Sequence, residues 1–289
     1  MNYLKQQLAE RLGRNPDVLS VSVIDKSKLQ SSLTDGFDLL LLVISNRLHA
    51  GNQLFHYIRD NLRIQERWVD PESLEQWILR GTHRNMFHWI LKGEIILDRD
   101  TYLEGLRHRM LEFPPDLRAK RLLIEFSGFL RCYLQSKEFV LEEQMLDAYN
   151  NIMEALHHWA RIVIIEEGAH PEVTVWKQVK TINPGVYKLY EELTFSSETL
   201  KQRIELVLLA SDFSVMSRLE SCCGLLLDIL KSRPEAWSMN ELQLLADLRE
   251  VSAELSLLMN KLVQKSVVKE LVYSDDLELS NLELRYTIA

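Results

Sequence analysis

Thr34-Asp35-Gly36-Phe37-Asp38-Leu39-Leu40-Leu41-Leu42-Val43-Ile44 places two acids and a glycine directly in front of an unbroken apolar run. A short run of this kind, entered through polar residues, reads as a buried strand that carries its polar groups at its start. That strand is the expected centre of the first domain.

The residues on either side alternate between helix and strand patterns. Leu4, Leu8 and Leu12 predict an opening helix closed by Gly13, and Pro16 leads into a strand over Val18 to Ile24. There Leu19, Val21 and Val23 alternate with Ser20 and Ser22, which predicts one covered face. After a polar connection from Asp25 to Ser32 the central strand is expected to return antiparallel or nearly so. Leu54, Tyr57, Ile58 and Leu62 fall on one side of a predicted helix, and Ile64 to Val69 reads as a strand in which Ile64, Glu66 and Trp68 share a face. Asp70-Pro71 reads as a helix cap with proline at the first helical position, and Gly81 as the stop. Met86 to Leu91 and Glu94 to Leu97 flank Lys92-Gly93 as a predicted hairpin, and Asp100 is the expected cap of a helix running to Leu111.

Phe113-Pro114-Pro115 ends this unit, because proline disfavours helix at its own position and before it. The expected domains are therefore 1–114, a small mixed sheet with helices; 115–233, a helical bundle; and 234–289, opened by Arg233-Pro234. In the second, Arg118 to Leu134, Leu141 to Glu167 and Glu198 to Leu230 carry apolar residues at helical spacing, and Asn183-Pro184-Gly185 marks a turn. In the third, Ser238 and Glu241 form a capping box, and a second helix follows through Leu255, Leu258 and Leu262. Val267 to Tyr273 and Leu282 to Ile288 then flank Ser274-Asp275-Asp276 as a hairpin, the order of a winged helix. The fold class is α+β, multidomain.

Composition narrows the partners. The 289 residues are 46% hydrophobic with a net charge of -8, so a bulk electrostatic grip on nucleic acid is not expected. In the third domain Glu241, Asp247, Glu250 and Glu254 surround the helix that carries Lys261 and Lys265, and Asp275, Asp276, Glu278 and Glu283 crowd the hairpin, which disfavours DNA and points to homodimerisation or intramolecular docking. No apolar run approaches the roughly 18 residues of a membrane span, and a cytoplasmic protein is expected. Cys132, Cys222 and Cys223 lack metal-type spacing and read as reduced core thiols. His157-His158 and the pair His83 and His88 lack the i, i+4 spacing of a helical metal site. Glu125, Glu142 and Glu143 read as helix acids facing solvent.

Nucleotidyl transfer from a triphosphate uses two Mg²⁺ ions, hard cations that need several carboxylates converging on one point. An Asp-x-Asp pair on a strand, with a third acid on its neighbour, meets that need. Thr-Asp-Gly-Phe-Asp followed by Leu-Leu-Leu-Leu-Val-Ile resembles the Ser-Asp-x-Asp-Leu-Leu-Val segment of the polymerase-β-type nucleotidyltransferases. The whole chain resembles their divergent YgxA-type nucleotidyltransferase-like family, whose order is a transferase-like domain, a helical domain similar to that of kanamycin nucleotidyltransferase, and a helix-turn-helix.

The resemblance implies a nucleotide or nucleotide-bearing partner in the cleft between the first two domains, and Mg²⁺ with a nucleoside triphosphate if the protein is active. Asp38 matches the second acid of the motif, Gly36 stands at the first, and Asp35 joins as a metal ligand only through a bulge at Gly36. Glu66 is the candidate third acid. Asp25-Lys26-Ser27 stands where the family carries its Gly-Ser phosphate turn and is the candidate nucleotide-binding turn. The alternative is a catalytically inactive interaction or dimerisation scaffold; a transcription regulator is the weakest reading.

Overall fold

The structure is a computed structural model that describes residues 2–28, 34–48, 51–80, 84–172, 174–273 and 282–289. The chain packs as two compact units, Met1–Pro114 and Pro115–Ala289. The expected terminal domain, 234–289, lies within the second unit.

The first unit runs α1 (Asn2–Gly13), β1 (Val18–Asp25), β2 (Leu39–Ser45), β3 (Gln53–Arg59), β4 (Leu62–Val69), α2 (Pro71–Arg80), α3 (Arg84–Lys92), β5 (Glu94–Asp98) and α4 (Tyr102–Glu112). Among the described residues the strands form one sheet in the order β3-β4-β2-β1-β5. β2 is central, antiparallel to β1 and parallel to β4. Its side chains alternate between two cores. Leu39, Leu41 and Val43 join Leu4, Leu8 and Leu12 of α1, whereas Leu40, Leu42 and Ile44 join Leu74, Ile78, Trp89, Leu103 and Met110 from α2, α3 and α4. All of Leu39 to Ile44 are fully buried, and each such side chain contributes about 1.5–3 kcal/mol relative to exposure.

Several expectations change for physical reasons. The helix expected over 54–62 is strand β3, joined to β4 by Asp60-Asn61, both at positive φ (51° and 60°). Two such residues make the tight turn whose twist matches a hairpin, and Asp and Asn tolerate that conformation. The hairpin expected over 86–97 is instead α3 followed by β5, which pairs with β1. Helix α4 is capped not by Asp100 but by Asp98, whose carboxylate accepts from the Leu103 and Glu104 amides at 3.0 and 3.1 Å. β1 is covered on both faces, because Ser20 and Ser22 are fully buried as well. The Asp70 cap is present, accepting from the Ser73 amide at 2.8 Å; the Gly81 stop lies outside the described residues.

The second unit contains α5 (Pro115–Leu141), α6 (Met145–Glu166), α7 (Val175–Ile182), α8 (Pro184–Phe195), α9 (Leu200–Ser214), α10 (Leu219–Cys222), α11 (Gly224–Lys231), β6 (Trp237–Ser238), α12 (Met239–Leu244), α13 (Leu255–Gln264), β7 (Val268–Tyr273) and β8 (Glu283–Ile288). Asn183 caps α8, and Ser238 with Glu241 forms the expected capping box of α12. The long helix expected over 198–230 is broken into α9, α10 and α11, which brings Val215, Met216, Leu219, Cys222, Cys223 and Leu226 into one core. That core runs on to Leu242, Leu258, Val268 and Tyr286, so the terminal elements and the helices share a single interior. β7 and β8 pair antiparallel, with β6 on the other side of β8; the turn Ser274-Asp275-Asp276 lies outside the described residues.

Close packing of α3 on β1 gives a direct test. A Cβ at Gly93 would lie 2.1 Å from Ser22 Oγ and 2.6 Å from the Trp89 carbonyl oxygen. Gly93→Ala is expected to destabilise the protein by about 1–3 kcal/mol, read as a lower urea midpoint with an unchanged slope. Gly105→Ala, whose added Cβ meets nothing within 4 Å, is expected to be neutral or slightly stabilising, because alanine is the better helix former.

Candidate functional site

The polar entry to β2 is a tight turn. Asp35 and Gly36 both take positive φ, 50° and 80°, and the Phe37 amide closes back on the Thr34 carbonyl at 2.9 Å. This geometry leaves Asp35 exposed. Its charge favours the protonated form of the Arg67 guanidinium, although burial still holds Arg67 below its usual range.

Asp38 serves the sheet. Its amide donates to the Arg63 carbonyl at 2.9 Å, its carboxylate Oδ2 accepts from the Arg63 amide at 2.9 Å, and its carbonyl accepts from the Lys26 amide at 3.0 Å. The aspartate thereby ties the start of β2 to β4 and to the segment that follows β1. Asp25 accepts from the Ser27 amide and hydroxyl at 2.9 and 2.8 Å, so Asp25-Lys26-Ser27 closes on itself as an Asx-turn.

Glu66 lies elsewhere. It is opposite Leu41 in the parallel β2–β4 register and shares the α1 face of the sheet with Ile64. Asp38, one residue ahead of β2, instead turns its carboxylate to the Arg63 backbone amide. The Glu66 carboxylate is 7% exposed and engaged on both oxygens: Oε2 accepts from Arg11 Nη2 and from the Tyr57 hydroxyl at 2.7 Å, and Oε1 from Trp68 Nε1 at 2.8 Å. Burial and the hydrogen bond to Glu66 push the Tyr57 hydroxyl up to about 12. Burial opposes the Arg11 charge, yet Glu66 raises its pKa overall.

The carboxylates of Asp35, Asp38 and Glu66 therefore do not meet at one point. Among the described residues of the first unit, no three metal-ligating side chains bring ligand atoms within 4.8 Å of one another. Gly36 contributes no carboxylate, and this donor set does not fit a pair of Mg²⁺ ions.

Glu66 instead forms part of the wall of a pocket of about 450 Å³, lined also by Arg11, Arg47, Phe55, Tyr57 and Trp68. Sequence reading paired Glu66 with Ile64 correctly but did not supply Arg11 or Tyr57, which lie 55 and 9 residues away in the chain. No periodicity reports such distant partners.

The helical unit holds a second polar cluster that sequence reading took for solvated acids. Glu125 on α5 is 3% exposed and accepts from His158 Nδ1 and Arg161 Nε on α6, both at 2.7 Å. Burial opposes ionisation, but the bond from His158 and the Arg161 charge outweigh it and hold the carboxyl below its ordinary range. Burial, with the charge of Glu154, pushes the neighbouring Cys132 thiol up to about 11.

Comparison with known proteins places this architecture. Residues 1–118 match a family model described as nucleotidyltransferase-like, and residues 119–218 match one described as a YgxA-like substrate binding domain. The protein YgxA of Bacillus subtilis (strain 168) is 36% identical over 268 residues, which cover 93% of this chain and 91% of YgxA. The crystal structure of a nucleotidyltransferase-like protein from Exiguobacterium sibiricum 255-15 superposes with a TM-score of 0.90 at 31% identity, over 98% of each chain. No described helix is long and apolar enough to cross a membrane. With a nucleotidyltransferase-like unit followed by a substrate-binding domain, and a relative in YgxA that matches nine-tenths of each chain, the chain belongs to the YgxA-type nucleotidyltransferase-like family.

Proposed function

We propose that this protein binds a nucleotide, or a nucleotide-bearing partner, through its nucleotidyltransferase-like unit and does not carry out two-metal nucleotidyl transfer. The observation that carries this reading is the pocket of about 450 Å³ beside Glu66. Small-molecule sites fall in a range of roughly 300–1,000 Å³ and combine apolar walls with a few placed polar groups. Phe55, Tyr57 and Trp68 offer faces on which a base stacks, an interaction worth about 1–3 kcal/mol per base. Arg47 and the exposed part of Arg11 offer charge to a phosphate. Glu66 holds Tyr57 and Trp68 in place and so preorganises the wall.

Mg²⁺ has no role in this reading. Isothermal titration of ATP, CTP, GTP and UTP, each with and without Mg²⁺, is expected to show binding of at least one nucleotide whose affinity changes little with the metal. Phe55→Ala removes a ring that is 47% exposed and is expected to weaken binding by about 5–150-fold. Four flat titrations together with an unaltered melting temperature overturn the proposal. Binding that requires Mg²⁺ and is lost in Asp38→Asn would return the site to the start of β2 and restore the metal-dependent reading.

A second reading rests on the terminal hairpin. Val272 and Leu282 are 61% and 53% exposed, and Leu271, Tyr273 and Leu284 are exposed beside them. Val272 and Leu284 are cross-strand partners, with Leu282 on the same face, whereas Leu271 and Tyr273 take the opposite face. Exposed apolar surface on a hairpin marks an interaction site, and a second copy of the chain is the proposed occupant. Light scattering after size exclusion is expected to report a dimer that Leu284→Glu converts to monomer; a monomeric wild type at high micromolar concentration rejects it.

A further inference from the structure

Beyond nucleotide binding, the helical unit contains an arrangement of metal-ligating side chains. Cys132 on α5, and Glu154 and His158 on α6, each bring a ligand atom within 4.8 Å of the other two. They are the described residues that do so. Around a tetrahedral zinc ion, sulfur, nitrogen and oxygen ligands sit about 3.4–3.8 Å from one another. Glu154 lies at the surface, and its carboxylate is hydrogen-bonded to the Cys132 thiol.

The supporting residues are those a metal-ligating histidine needs. His158 Nδ1 lies 2.7 Å from Glu125 Oε2, and Arg161 Nε holds the same carboxylate oxygen at 2.7 Å. An ionised carboxylate only accepts hydrogen bonds. Nδ1 lies closer to that carboxylate than to Arg161 Nη2, which is 3.1 Å away, so Nδ1 carries a proton, and a ring with a single proton has its lone pair on Nε2. A carboxylate that fixes the tautomer and orientation of a ligating histidine is the recurrent outer support of protein zinc sites.

The α5 backbone makes room for that ring. A Cβ at Gly128 would lie 2.4 Å from His158 Cε1 and 2.6 Å from Nε2. Glycine at this mid-helix position costs about 1 kcal/mol against alanine, and here it lets the imidazole lie against the helix. Gly128 and Cys132 are four apart on α5, and Glu154 and His158 are four apart on α6, so each pair shares a helix face.

We infer that Cys132, Glu154 and His158 bind one Zn²⁺ ion, with Glu125 as the residue that positions His158. A thiolate, an imidazole and a carboxylate form a donor set that suits zinc and not Mg²⁺. On binding, the Cys132 thiol releases its proton to solvent and a sulfur–zinc bond forms. Three protein ligands leave a fourth position for water or an anionic ligand. The site falls inside residues 119–218, the stretch matched by the substrate-binding family model.

The test uses the full-length chain stripped of metal with a chelator. Titration with Co²⁺, a spectroscopic substitute for zinc, is expected to give one equivalent of binding, tetrahedral visible bands and a near-ultraviolet thiolate-to-cobalt band, all displaced by Zn²⁺. Cys132→Ser is expected to lose the thiolate band, and His158→Gln to lose the tetrahedral bands. Glu125→Gln is expected to keep the thiolate band and weaken the affinity about 10–100-fold, which a purely structural role would not do. If either ligand variant fails to fold, alkylation of the wild-type thiols read by mass spectrometry replaces it, with Zn²⁺ expected to protect Cys132. A cobalt spectrum without the thiolate band, or Cys132 alkylated equally with and without Zn²⁺, overturns the assignment.

Discussion

Side-chain alternation along β2 is the constraint on which the first unit depends. Leu39, Leu41 and Val43 point into one core, and Leu40, Leu42 and Ile44 into the other. Because β4 runs parallel beside β2 in fixed register, every residue of β4 inherits a face from its partner. A one-residue slip would exchange the two faces entirely. Glu66 lies opposite Leu41, faces α1 and bonds Arg11, whereas Asp38, ahead of the strand, bonds the Arg63 backbone amide, so the two acids are held by different partners.

Each unit also buries a carboxylate, and each solves the same energetic problem. Removing a carboxylate from water is costly unless its oxygens are fully bonded. Glu66 gathers Arg11, Tyr57 and Trp68, and Glu125 gathers His158 and Arg161. In both places the carboxylate fixes the orientation of the aromatic or imidazole groups beside it. In the first unit those groups line the pocket, and in the second His158 lies beside Cys132 and Glu154.

Much of the fold was legible because it is local. The Asp70-Pro71 cap, the Ser238–Glu241 box and the Asn183-Pro184 turn involve partners within a few residues and follow from hydrogen-bond stereochemistry. The errors arose where local signals compete. Leu54, Tyr57, Ile58 and Leu62 satisfy a helical spacing, yet Asp60-Asn61 at positive φ turns the chain into a hairpin. Lys92-Gly93 looks like a turn, yet its glycine allows α3 to close on β1. Glu154 and His158 stand at i, i+4, a spacing visible in the sequence, but only the packing of α5 against α6 supplies Cys132.

By itself, the sequence determined that Leu39 to Ile44 is a buried central strand, that a break falls at Phe113-Pro114-Pro115, and that Gly36 removes a carboxylate from the Asp-x-Asp position. These depend on apolar run length, proline stereochemistry and the absence of a side chain, all properties of neighbouring residues. Only the tertiary structure decided which face Glu66 takes, that Asp38 bonds the backbone of Arg63, and that Glu125 lies buried against His158 and Arg161. Those outcomes depend on strand register and helix packing, which bring together groups 25 to 55 residues apart in the chain, and no local pattern encodes contacts at that separation.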